Sequence, residues 1–128
     1  MREIKFRYRL KQLDPKKGYE EWFEFYTIEQ IERGEVQTTA EIIGRDQYTG
    51  LKDKNGKEIY EGNILQNCID KKLFNWLVVF KNGCFGIRNI GVEGYLMDFF
   101  ACDSEYYFIE RQIIGNIYEN PELMVGKA

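Results

Sequence analysis

Two Asn-Gly pairs constrain this chain more than any other feature. Asn55-Gly56 sits in the charged run Lys52-Asp53-Lys54-Asn55-Gly56-Lys57-Glu58, and Lys81-Asn82-Gly83 separates the apolar runs Phe74–Phe80 and Cys84–Ile90. Tight turns of this kind need positive φ, which Asn and Gly tolerate, and their twist matches that of paired strands. The second pair therefore predicts a hairpin. Ile64–Ile69 precedes it across the polar turn Asp70-Lys71-Lys72, while Tyr95–Phe100 and Tyr106–Ile114 follow, with Gly91 and Gly94 bracketing a loop. Five short strands with glycine corners predict a small C-terminal β-barrel of the SH3-like kind. The aromatic content of 16%, with nine Tyr, nine Phe and two Trp, points the same way, because aromatic rings pack well on pleated surfaces.

The N-terminal part reads differently. Ile4, Phe6, Tyr8 and Leu10 alternate with Lys5, Arg7 and Arg9, the period of two that marks a half-buried strand. Asp14-Pro15-Lys16-Lys17-Gly18 is a turn, and Trp22–Tyr26 predicts a second, antiparallel strand. Thr27 and Gln30 have capping-box spacing, which predicts a short helix to Arg33 with Gly34 at its C-terminal cap. Val36–Ile43 predicts a third strand, broken by Gly44. Gln47–Asn63 then reads as a surface loop and tight turn that delivers the chain into the β-domain. The expected class is α+β, mostly β: an N-terminal hairpin with a short helix (residues 1–46), a signature loop (47–63) and the barrel (64–128), with the parts free to share one core.

Charge and residue usage exclude several chemistries. No histidine is present, which removes His-based acid–base catalysis, Ser-His and Cys-His nucleophile pairs and most zinc sites. Cys68, Cys84 and Cys102 show no CxxC spacing and read as buried free thiols of a reducing cytosol. The Met1–Leu10 segment is too charged for a signal peptide, and no apolar run reaches membrane-spanning length. A net charge of −3 gives no global pull toward nucleic acid or membrane. Locally, residues 1–18 carry seven basic and two acidic side chains, and residues 19–44 carry one basic and seven acidic. Opposite charges on neighbouring strands would neutralise each other. A basic strand that binds phosphate is the sharper alternative.

Two motifs resemble those of a known family. Gln47-Tyr48-Thr49-Gly50-Leu51-Lys52-Asp53, followed by Gly56-Lys57-Glu58-Ile59-Tyr60-Glu61-Gly62, resembles the signature of the YopX family of phage and prophage proteins. Ile114–Leu123 is similar to that family's C-terminal ending, and Ile4-Lys5-Phe6-Arg7 to its start. The resemblance implies a bacterial cytoplasmic protein with an N-terminal α+β part, a C-terminal barrel and no established activity. Asn63 stands where the family usually carries Asp, removing a charge that a metal ligand there would need.

Candidate functional residues fall in two sets. Tyr48, Lys52, Asp53, Lys57, Glu58, Tyr60 and Glu61 crowd the central stretch and form a candidate interaction surface, since loops on rigid scaffolds often bind. The alternative is turn chemistry, in which Asp53 and Asn55 bond to nearby backbone and Tyr60 packs inward. Asp53, Glu58 and Glu61 could supply oxygen ligands, yet their spacing matches no EF-hand loop and lysines interleave them. Arg7, Arg9, Lys11, Lys16 and Lys17 are candidate nucleic-acid contacts, with Trp76, Phe80, Phe85 and Tyr95 as stacking platforms or as barrel core. The residues thus point to a non-enzymatic binding module without cofactor. Its expected partner is a protein or a second copy of itself, with nucleic acid as the alternative.

Overall fold

The computed structural model describes residues 3–90 and 99–124. It is mostly β, 58% strand and 11% helix, and includes a curled half-barrel sheet. The chain divides into two compact units, Met1–Gly50 and Leu51–Ala128. No helix among the described residues is long and apolar enough to cross a membrane.

In the first unit β1 (Lys5–Asp14) is the central strand, flanked by β2 (Gly18–Thr27) and β3 (Glu41–Lys52), whose last two residues run on into the second unit. β1 and β2 pair antiparallel from Lys5↔Thr27 to Asp14↔Gly18. The alternation read from Ile4 to Leu10 has a physical basis here: Tyr8 and Leu10 are buried on one face. Thr27 caps α1 (Ile28–Glu32) through the expected capping box: Gln30 N–H donates to Thr27 Oγ1, and Thr27 N–H to Gln30 Oε1. Gly34 follows with φ +73°, the left-handed conformation that ends helices.

The third strand differs from its expected span. It starts at Glu41, not Val36, and runs through Gly44 to Lys52. Gly44 does not break it because it sits beside a bulge: Arg9 pairs with Gly44 and Leu10 with Ile42, leaving Ile43 as the extra residue. Gln47–Lys52 is consequently strand, and Tyr48 and Thr49 are buried. The stretch read as a surface loop is therefore loop only at residues 53–57 and 61–62.

In the second unit, β5 (Asn63–Ile69), β6 (Lys72–Lys81), β7 (Cys84–Ile90), β8 (Phe99–Phe100) and β9 (Gln112–Asn116) form one sheet in the order β8-β7-β6-β5-β9. β4 (Glu58–Tyr60) precedes them. Both predicted turns are present, with positive φ at Asp70 and Lys71 and at Asn82 and Gly83. The loop expected at Gly91–Gly94, and most of the strand expected over Tyr95–Phe100, lie outside the described residues. Leu65, Trp76, Val78, Phe85 and Ile87 project from alternate strand positions into one core, which Ile59 and Phe108 complete. Trp76 and Phe85 are thus core residues, while Phe80 is half exposed against the Phe85 ring at 4.8 Å. Two of the cysteines expected to be buried are exposed, Cys68 and Cys102, and Cys84 is half-buried.

The last expected strand, Tyr106–Ile114, is two elements: a helical turn α2 (Tyr106–Ile109) and then β9. Ser104 Oγ accepts from Tyr106 N–H and starts the turn. The turn sends Phe108 fully into the core and leaves Tyr106 on the surface. Close packing at the β7–β8 edge depends on Gly86, where an added Cβ would meet Phe100 Cδ1 at 2.7 Å and Phe99 O at 3.1 Å. Gly86→Ala is expected to cost about 1–3 kcal/mol through overpacking, measurable as a lower urea midpoint with unchanged slope.

Candidate functional site

Asp53 organises the central stretch. Its Oδ1 accepts from Asn55 N–H and Lys57 N–H, both at 2.9 Å, and closes the Asn55-Gly56 turn. Its Oδ2 accepts from Ile113 N–H, sixty positions away on β9, at 2.9 Å. Gly62 O accepts from Ile117 N–H, and Asn63 pairs with Asn116. The two sequence motifs thus meet as one joint, tied by backbone, with the buried Asp53 carboxylate bound to Ile113 immediately before the second. Asn63 Oδ1 accepts from Tyr60 N–H at 2.6 Å, a task for an acceptor that Asn and Asp share. Asn116 and Asn120 hold the C-terminal turn: Asn116 Oδ1 accepts from Tyr118 and Glu119 N–H, and Asn120 Oδ1 from Asn116 N–H.

The remaining residues of that candidate surface differ in burial. Tyr48 belongs to the first unit, buried with Lys5 Nζ 4.9 Å from its ring centre. Tyr60 is buried and its hydroxyl donates to Glu58 at 3.3 Å. Lys52 and Lys57 are exposed and Glu61 is half-buried. Among the described residues no group of three or more His, Cys, Asp or Glu could hold a metal ion.

The basic N-terminal residues are heavily engaged. Arg7 is buried, bonded to Asp46 at 2.9 Å directly across the β1–β3 ladder and stacked over Phe23 at 4.4 Å. Arg9 pairs with Glu21 and Lys17 with Glu20. Lys11 Nζ lies 4.5 Å from the Tyr19 ring centre. Lys16 is exposed in the turn, where its backbone N–H donates to Asp14.

A cleft of about 430 Å³ opens in the second unit, lined by Lys54, Asn67, Trp76, Phe99, Tyr107, Glu110 and Arg111, with Cys68 and Ile69 at its side. The volume is in the range of small-ligand sites. Arg111 is its centre. Only 2% exposed, it sits 4.7 Å from the Trp76 ring centre and under 6 Å from those of Phe99 and Tyr107. Phe99 and Tyr107 stack at 4.0 Å, and Trp76 Nε1–H donates to Asn67 Oδ1 at 2.7 Å, fixing the indole. Arg111 Nη1 donates to Tyr107 O and to the Glu110 carboxylate. Burial pulls its pKa below the ordinary arginine value, against the opposing effect of Glu110. Arg111 Nε–H is buried and finds no acceptor among the described residues. Lys54 joins the rim through its backbone N–H, bonded to Arg111 O at 2.9 Å. The charged lining is two cations against one carboxylate.

Sequence reasoning named Trp76 and missed Arg111, Lys54, Glu110, Phe99 and Tyr107. One signal was present: Glu110-Arg111 interrupts an apolar run, and a charged pair there requires either exposure or dedicated partners.

A crystal structure of protein EF1440 from Enterococcus faecalis is similar over 94% of this chain and 97% of that one, at 21% sequence identity and a TM-score of 0.49. No curated protein matches. The YopX protein family matches residues 3–125, a span that takes in both motifs, and the chain accordingly belongs to the YopX family.

Proposed function

We propose that this protein is a non-enzymatic binding module, a phage- or prophage-encoded accessory protein of the bacterial cytoplasm. In this reading the Arg111 cleft takes an acidic side chain of a protein partner, set beside an apolar one. The observation that carries it is the buried guanidinium lining an aromatic cleft with its Nε–H unpartnered among the described residues. An unsatisfied buried donor costs free energy that an incoming acceptor recovers, and the Nε side of a guanidinium presents two parallel donors that match a carboxylate. Lys54 supplies the excess positive charge, and the Trp76, Phe99 and Tyr107 rings supply the apolar wall. A non-enzymatic role is supported by Asp53, whose carboxylate is committed to three backbone donors rather than held ready as a base. An SH3-like closure of the second unit belongs to the same proposal, supported by short antiparallel strands joined by tight turns.

The test uses Trp76 as reporter in a Trp22→Phe background. Titration with an N-acetylated Glu-Phe dipeptide amide is expected to saturate the fluorescence change. The Gln-Phe counterpart is expected to bind about tenfold more weakly, the difference one charge-assisted hydrogen bond supplies. Lys54→Glu should abolish the preference. Equal responses to the two peptides would overturn the proposal. Salt-steep binding of single-stranded DNA, lost in Lys16→Glu plus Lys17→Glu and without a peptide response, would favour nucleic acid instead.

A further inference from the structure

Cys84 opens β7 directly after the Asn82-Gly83 turn, and Cys102 lies two residues beyond β8. The β7–β8 register pairs Ile87 with Phe99 and Gly86 with Phe100. Ala101 N–H then continues the ladder to Phe85 O at 2.8 Å. β8 ends at Phe100, and Asp103 N–H bonds back to Phe100 O at 3.0 Å, so Ala101 and Cys102 form the middle of a turn that brings Cys102 beside Cys84. Side-chain contact is already made: Cys102 N–H donates to Cys84 Sγ at 3.2 Å. The hydrogen-bonded Cys84 thiol also pushes the Cys102 thiol above the ordinary cysteine value. Both are free thiols, Cys102 exposed and Cys84 half-buried.

We propose that Cys84 and Cys102 are a redox modification site, forming a reversible disulfide between the start of β7 and the turn after β8 when a small-molecule disulfide oxidant reaches Cys102. The Cys102 thiol loses its proton, and the thiolate attacks one sulfur of the oxidant. That S–S bond breaks and the first thiol leaves, carrying the proton. Cys84 then loses its proton and attacks the Cys102 sulfur of the mixed disulfide, releasing the second thiol. Two protein S–H groups are oxidised to one S–S bond, and the oxidant is reduced to two thiols. The product ties the two-residue strand β8 to β7 at the edge of the sheet.

The test incubates the full native chain with oxidised glutathione, then alkylates and digests it without reduction. The expected product is a monomer lighter by two hydrogens, with the Cys84 and Cys102 peptides joined and Cys68 alkylated. Dithiothreitol should restore three alkylatable thiols. Cys102→Ser, at an exposed position, should give no intramolecular cross-link. Stable glutathione adducts on separate cysteines, or a disulfide that includes Cys68, would overturn the proposal.

Discussion

Phe108→Ala is expected to destabilise the second unit by about 3–5 kcal/mol, the cost of emptying a large buried aromatic site. Tyr106→Ala, two positions earlier, should change stability by less than about 0.5 kcal/mol. The contrast follows from the helical turn at Tyr106–Ile109, which buries Phe108 completely and leaves Tyr106 59% exposed. In a continuous strand the two side chains would share one face and matter alike. Urea unfolding followed by Trp76 fluorescence, with Trp22→Phe as the common background, measures both. Equal losses for the two variants would contradict the helical turn.

Asp53→Ala is expected to cost at least about 3 kcal/mol, since three backbone donors lose a carboxylate acceptor, bonds to charged groups contribute a net of about 1.5–3 kcal/mol each, and water re-solvates the freed donors unequally. Recovery should be best at Asn55 and Lys57, whose residues are exposed, and poorest at Ile113, which is half-buried on β9. Asp53→Asn retains an oxygen for the turn but sets an amide N–H₂ toward Ile113 N–H, at a cost of about 1–3 kcal/mol. Amide hydrogen exchange separates the roles: Ile113 should lose protection in both variants, and Lys57 mainly in the alanine variant. Unchanged exchange at Ile113 would show that the joint between the two motifs does not depend on Asp53.

These expectations also mark where the sequence was legible. The alternation from Ile4 to Leu10, the Thr27–Gln30 capping box and the Asn82-Gly83 hairpin were readable because each is set by residues within one turn or one strand of each other. The mostly-β class followed from them. What escaped was non-local. Gly44 reads as a strand breaker until Arg9, on another strand, is placed opposite it at the bulge. Asp53 reads as one more turn carboxylate, because its third donor lies sixty positions on. Tyr106–Ile109 is too short for its period to distinguish strand from helical turn, and only the core decided. The Arg111 cleft is the extreme case. Its wall comes from Trp76 on β6, Phe99 on β8 and Tyr107 on α2, so no window of sequence contains it.

In the proposed function the Arg111 cleft receives an acidic group. Its most direct test is ¹⁵N NMR of the full chain titrated with the N-acetylated Glu-Phe amide. The Arg111 Nε–H resonance is expected to move downfield as it gains an acceptor, together with the Trp76 indole N–H and the Lys54 amide, and the Gln-Phe amide should move them far less. Shifts confined to other surfaces, or an Arg111 Nε–H that stays in place while the peptide saturates, would contradict it.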